Sequence, residues 1–163
     1  MIIEQGIKLI ADGAVIPIVL IAVYALVWKL PKGSSRYDAY CRILLAGLTA
    51  FLIAKLLGTA YQPATERPFE ILGLTPGASY LDNPGFPSDH ALFTAAITLA
   101  VWAETRSKWL TGILVVLTLL VCIGRVLALV HTPLDVIGGI SVALLGGLWY
   151  FSRADLALSK RAG

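Results

Sequence analysis

Apolar residues along the chain run in unbroken blocks and do not recur at the spacing of a half-buried surface helix. The blocks cover residues 7–28, 40–61, 88–104, 109–130 and 133–151. Each approaches the roughly twenty residues that carry a helix across a bilayer's hydrocarbon core. The pattern therefore predicts an all-α membrane protein with about five transmembrane helices, each crossing returning on the last. Pro17 lies inside the first block and is expected to kink it, a distortion membrane helices tolerate when neighbours satisfy the freed carbonyl. Pro31, Gly33, Ser34 and Ser35 mark a turn after the first block, and a tight charged turn follows Glu104.

The stretch 62–87 is different. It carries five of the eight prolines, several glycines and Asn83, so it cannot span as a helix. Its apolar pieces, Phe69, Ile71 and Leu72, imply that it folds over the end of the bundle. No internal repeat or low-complexity tract interrupts the chain, and residues 1–163 read as a single domain. The N-terminus, with Glu4, Lys8 and no small-residue cleavage site, reads as a retained helix rather than a signal peptide.

Composition agrees with this reading. The chain is 58% hydrophobic with a mean hydropathy of +0.81, against about 45–50% apolar residues in soluble domains. A net charge of +3, dispersed and without a basic stripe, does not suit nucleic-acid binding. Cys41 and Cys122 stand alone in apolar stretches and read as small buried hydrophobes, with no disulfide between them. The glycine pairs Gly138-Gly139 and Gly146-Gly147 read as sites of close helix packing.

Charge also predicts topology. Five crossings put Lys29, Lys32, Arg36, Arg42, Arg106, Lys108, Arg153, Lys160 and Arg161 on one face. The other face receives Lys8, Lys55, Arg67 and Arg125, together with Glu4, Asp12, Glu66, Glu70, Asp82, Asp89 and Asp135. Excess Lys and Arg marks the cytoplasmic side, and Trp28, Trp102, Trp109 and Trp149 fall at helix ends on that side as an interfacial belt would. The expected arrangement is N-terminus outside, C-terminus cytoplasmic, with the 62–87 loop facing outward. Tyr61 and Tyr80 are expected to anchor at that outer interface.

Arg67, Ser88, Asp89, His90, Arg125, His131 and Asp135 all fall at the outer ends of the last four helices, and both histidines of the chain are among them. Ionisable groups at the edge of apolar spans are functional candidates by default, because unpaired charge is costly there. Ser88 is placed to cap a helix whose free backbone amides favour an anion, with His90 in its first turn. Arg67 and Arg125 can present forked donors to phosphate oxygens, and Lys55 can either hold phosphate or extend to the interface. His131 and Asp135, four apart, allow a carboxylate to orient an imidazole. Asp135 also suits a helix start after Thr132-Pro133, a structural role compatible with the catalytic one. Two histidines, two arginines and a helix N-terminus suit metal-free phosphoryl transfer, in which one histidine attacks phosphorus and the other protonates the leaving oxygen. The adjacent arginines oppose a bound cation, so no metal or other cofactor is expected.

At these residues the sequence resembles the type 2 phosphatidic acid phosphatase superfamily, which shares its core with the vanadium haloperoxidases. Arg67-Pro68 resembles the end of that family's first block, Pro87-Ser88-Asp89-His90 the second, and Gly124-Arg125, His131 and Asp135 the third with its spacing intact. The likeness covers roughly residues 55–139. It implies that His131 is the nucleophile, Asp135 its orienting partner and His90 the general acid. It further implies phosphate-holding roles for Arg67, Arg125 and Ser88, with Lys55 as the candidate for the family's lysine.

Four departures stand out. Eleven residues separate Lys55 from Arg67, where the family has six, and Gly124 replaces a serine. Asp89 replaces a glycine, a variant associated with the bacterial undecaprenyl-diphosphatase branch, and is expected to modulate the site. Family members typically have six spans, one more than here. The resemblance implies hydrolysis of undecaprenyl diphosphate at the outer face of the cell membrane. Phosphatidylglycerol phosphate, phosphatidic acid, lipid A phosphates and other prenyl phosphates are alternative substrates. Two competing classes are a non-catalytic membrane phospholipid-binding protein and a lipid transporter; the second is disfavoured because the cytoplasmic halves of the spans carry almost no charge.

Overall fold

A computed structural model of the chain describes residues 2–81 and 85–151, with side chains from residue 4 onward. Asp82, Asn83, Arg153, Lys160 and Arg161, used above in reading the loop and the topology, lie outside the described residues. The elements are α1 (Ile2–Lys8), a π-helical turn (Leu9–Gly13), α2 (Val15–Trp28), α3 (Arg36–Ala60), the short α4 (Pro68–Ile71), α5 (Asp89–Thr105), α6 (Lys108–Leu127), α7 (Pro133–Gly146) and a closing 3-10 turn (Gly147–Tyr150). Among the described residues there is no β-strand.

Among the described residues, four segments are long and apolar enough to cross a bilayer: Glu4–Trp28, Arg36–Ala60, Lys108–Leu127 and Pro133–Tyr150. The chain is accordingly a multi-pass membrane protein. The fifth expected span is α5, with 17 residues. It carries more polar groups than the others because it lies at the centre of the bundle, packed against α7, α6, α2 and α3. Thr98 and Thr118 bridge α5 to α6 through their hydroxyls at 3.0 Å, so these buried polar groups satisfy each other.

The irregularity expected at Pro17 lies one turn earlier. Proline cannot donate to the carbonyl four residues before it, and the irregular turn ends at Gly13, that residue. Ala14 N instead donates to Leu9 O at 3.1 Å, the wider bond of a π turn. Pro17 itself falls within the first turn of α2.

Size, rather than polarity, distinguishes inside from outside. On α3 the buried residues are Ala39, Ala46, Ala50 and Ala54, while Leu44, Leu48, Phe51, Leu52 and Leu56 are exposed. In water this would be an inverted surface, but in lipid the tails solvate leucine and small residues let helices approach closely. Gly146 extends the same logic. A β-carbon there would lie 2.5 Å from Ala46 O on α3. At Gly139 one would lie 2.5 Å from Ser88 O, so the start of α5 is pressed against α7.

At the bundle end opposite the 62–87 loop, Arg42 and Glu104 form a two-pronged ion pair, Nε–Oε1 2.8 Å and Nη2–Oε2 2.9 Å, with Glu104 buried. Two parallel N–H donors facing two oxygens give the strong form of this interaction. At the other end, residues 62–81 fold back onto the bundle as the apolar pieces required. Phe69 is buried and its N–H donates to Leu129 O at 3.0 Å, and Gly77 N donates to Ala128 O at 3.0 Å. Ile71 and Leu72 remain exposed.

Gly146→Ala is expected to destabilise the bundle by about 1–3 kcal/mol, the usual cost of overpacking, and to lower its thermal midpoint in detergent. Gly112→Ala, where an added β-carbon meets nothing within 4 Å, is the control expected to leave the midpoint unchanged.

Candidate active site

The antiparallel course of the helices brings chemistry-bearing residues to one end. Lys55 lies in the last two turns of α3, His90 in the first turn of α5, Arg125 in the last turn of α6 and Asp135 in the first turn of α7, with His131 on the α6–α7 connection. A cavity of about 430 Å³ opens between them, lined by Lys55, Arg67, Asp89, His90, Arg125 and His131. Gln62, Ser79, Tyr80, Leu81, Gly85 and Phe86 complete the wall from the loop side.

The α6–α7 connection is tightly specified. Thr132 and Asp135 cap α7 reciprocally: Asp135 N donates to Thr132 Oγ1 at 3.2 Å, and Thr132 N donates to Asp135 Oδ2 at 2.7 Å. The same Oδ2 stands 3.6 Å from His131 Nδ1. That separation is an ion-pair distance, longer than a hydrogen bond, and His131 Nδ1 is buried without a hydrogen-bond partner among the described residues. The helix-start role and the His131-facing role of Asp135 therefore coexist. Burial pushes the His131 imidazole below the ordinary histidine value. Asp135 opposes that shift, while Arg125 and Arg67 reinforce it.

Ser88 occupies the N-cap position of α5, but its side chain makes no capping bond. Its N–H donates to Asp135 O at 2.9 Å, while Oγ is buried with no partner among the described residues. A fully buried hydroxyl left in that condition costs about 1–3 kcal/mol.

Each cation is tethered. Arg67 donates from Nη1 to Val130 O at 2.5 Å and from Nη2 to Leu81 O at 3.0 Å, and its guanidinium lies 5.3 Å from the Tyr80 ring centre. Burial lowers the Arg67 pKa, with Asp135 the largest opposing influence, yet an arginine retains its charge under such a shift. Arg125 donates from Nη1 to Asp12 Oδ1 at 2.8 Å and to Ser79 O at 2.7 Å. Lys55 Nζ lies 3.4 Å from Asp89 Oδ1, both side chains half-exposed at the cavity mouth.

The structure thus brings Lys55, Arg67, Asp89, His90, Arg125 and His131 onto one cavity, with Ser88 and Asp135 directly behind its wall. Lys55 reaches the site despite its distance from Arg67 in sequence, because α3 ends there. The sequence reading missed Asp12, which it counted only as a topology charge. A carboxylate inside an apolar run was signal enough to ask for its partner. Tyr80, expected as an interfacial anchor, packs on Phe69 with ring centres 5.0 Å apart and lies beside Arg67. Gly85, which nothing in the sequence marks, sits against the Asp135 carboxylate: a β-carbon there would lie 3.3 Å from Oδ2. Among the described residues, no three His, Cys, Asp or Glu side chains group as a metal site would require.

The chain is similar in sequence to three curated proteins. The "Putative undecaprenyl-diphosphatase YbjG" of Escherichia coli (strain K12) is 28% identical over 142 residues, covering 85% of this chain and 67% of that protein. The "Undecaprenyl-diphosphatase BcrC" of Bacillus subtilis (strain 168) is 30% identical over 144 residues, covering 83% and 70%. An "Undecaprenyl-diphosphatase" of Sulfolobus acidocaldarius is 38% identical over 99 residues, covering 55% of this chain and 45% of that protein. No solved structure matches the chain with significance. Residues 39–156 match the PAP2 superfamily, a range that takes in most of α3, all of α4 to α7 and every cavity-lining residue named above, with Asp12 outside it; the chain belongs to that superfamily.

Proposed function

We propose that the protein is a metal-independent lipid phosphatase that hydrolyses undecaprenyl diphosphate to undecaprenyl phosphate and inorganic phosphate. The observation that carries this reading is the single cavity lined by both histidines and by Lys55, Arg67 and Arg125. The names of the relatives support the choice of substrate, and Asp89, in the position where the family pattern has glycine, fits the same branch.

In this reading the terminal phosphate enters with its oxygens facing Arg67, Arg125 and the Ser88 hydroxyl, while Lys55 sits at the mouth. Asp135 faces His131 Nδ1, leaving Nε2 as the attacking nitrogen. Nε2 forms a bond to phosphorus as the bond from phosphorus to the bridging oxygen breaks, and His90 gives its proton to the departing oxygen. The positive charge that develops on His131 is opposed by the Asp135 carboxylate, and the arginines offset charge on the transferring group. Water then attacks phosphorus, His90 takes the water's proton, and the P–N bond breaks to release phosphate and free His131.

The proposed topology puts the cavity at the outer face of the cell membrane, with five crossings, N-terminus outside and C-terminus cytoplasmic. The Lys and Arg bias and the tryptophans at the opposite bundle end support that orientation. Residues 1–163 act as a single domain in this account.

The reading is tested by phosphate release from purified protein in detergent with chelator present. Undecaprenyl diphosphate is expected to be the preferred substrate over phosphatidic acid, with His131→Ala reducing release at least about 10³-fold. Comparable rates on both lipids would reject the narrow substrate, and release that survives His131→Ala would reject the mechanism. The leaving group supplies a second check. A phosphate departs as a much weaker base than an alkoxide, so His90→Ala should slow diphosphate cleavage less than phosphatidic acid cleavage. Equal losses on the two substrates would contradict the proton-donor role.

The pH dependence has a definite sign. Neutral His131 is the nucleophile, and burial holds its pKa below the ordinary value of about 6.5. The kcat/KM profile should therefore not fall as pH drops through 6.5 and should decline only in more acid solution. Asp135→Asn removes the influence that raises this pKa, so the acid limb should move to still lower pH while the rate drops about 10²-fold or more. A limb that moves upward would contradict the assignment.

A further inference from the structure

Arg125 is 1% exposed, in the last turn of an apolar helix. Its charge is met from outside the family-matched region, by Asp12 on the π-helical turn. Asp12 Oδ1 accepts from Arg125 Nη1 at 2.8 Å, and Asp12 Oδ2 accepts from Ser79 N at 2.9 Å. Ser79 O accepts from the same Nη1 at 2.7 Å. One carboxylate therefore ties the guanidinium and the Ser79 wall of the cavity into a closed triangle. Arg125 Nε, by contrast, is buried with no partner among the described residues, and the residue lines the cavity. One part of the guanidinium is anchored, and its Nε carries no hydrogen bond among the described residues.

Two features of the sequence bring Asp12 there. The π turn inserts an extra residue per turn at Leu9–Gly13, which rotates Asp12 relative to a regular helix. Gly124, the residue just before Arg125, allows that turn to press on α6. A β-carbon at 124 would lie 2.9 Å from Ala11 N, 3.0 Å from Ala11 Cα and 3.0 Å from Ile10 Cγ2. Two of those three atoms are backbone and cannot swing aside. The glycine that stands where the family pattern has serine is thus the seat of the N-terminal segment.

We propose that Asp12 is a positioning residue for phosphoryl transfer, orienting Arg125 toward the substrate phosphate through the Asp12–Arg125–Ser79 triangle, and that Gly124 is the contact that admits it. This rests on the phosphatase reading, and the phosphate held by Arg125 is the terminal phosphate of the lipid.

The test compares Asp12→Asn in the wild-type and Arg125→Lys backgrounds, measuring kcat and KM for the lipid diphosphate, thermal midpoint, and affinity for inorganic phosphate. Asparagine keeps an acceptor for Ser79 N and removes the charge that fixes the guanidinium. Asp12→Asn is expected to lower kcat about tenfold or more with the arginine present, and by less than about twofold with lysine, which has no fork to orient. Gly124→Ser, which pushes the π turn away without touching either charge, should lower kcat in the same direction. Equal losses in both backgrounds, tracking a fall in thermal midpoint, would reduce Asp12 to a structural charge partner and overturn the proposal. So would wild-type kcat in Asp12→Asn. If the wild-type protein hydrolyses no lipid phosphate but binds inorganic phosphate, a weakened affinity in Asp12→Asn that disappears with Arg125→Lys sustains the positioning role while the phosphatase reading fails. If the wild-type protein neither hydrolyses nor binds phosphate, both fall.

Discussion

Three cations, Lys55, Arg67 and Arg125, crowd one mouth of an apolar bundle, and the arrangement around them follows from the need to offset that charge without cancelling it. Each is held by a different device. Arg67 donates to two backbone carbonyls and lies beside an aromatic ring, Arg125 pairs with a carboxylate and a carbonyl, and Lys55 faces Asp89 in the open. Arg125 is buried, so removing Asp12 would leave a buried charge short of its carboxylate partner, and the contact ties the N-terminal segment to α6. Backbone carbonyls neutralise only part of a charge. Three cations on one cavity suit an anion with several oxygens.

The helices carry these groups to one end because the bundle is packed through small residues. The alanines of α3 and the glycines of α7 bring backbones close enough that Ser88 N reaches Asp135 O, which couples the start of α5 to the start of α7. His90 and His131, on different helices and far apart in sequence, thereby face one cavity. The capping exchange between Thr132 and Asp135 then fixes the loop that carries His131. Local helix-start chemistry and the proposed catalysis use the same carboxylate, so neither role displaces the other.

Much of this was legible in the sequence, for physical reasons. Runs of apolar residues show spans because lipid admits little else, and charge placed at their ends stands out against that background. Ser88, His90, Arg125, His131 and Asp135 could be assigned to one end by counting crossings. The lysine was harder, since spacing along the chain says nothing of where a long helix ends, and α3 carries Lys55 to the cavity whatever the length of the loop that follows. Asp12 was least legible. Its partner lies over a hundred residues away, and its orientation depends on a π turn that helix periodicity does not announce. Gly124 carried a hint of it, since a glycine next to a buried arginine implies something close at hand.

The central claim is that His131 takes the phosphoryl group. The most direct measurement is to mix the protein with substrate labelled in its terminal phosphate, quench in alkali, where a phosphohistidine survives, and locate the label by peptide mass spectrometry. Label on the peptide carrying His131, lost in His131→Ala and retained or increased in His90→Ala, is the predicted result. Phosphate released in many turnovers with no label on any histidine, or label on His90 in its place, would contradict the account.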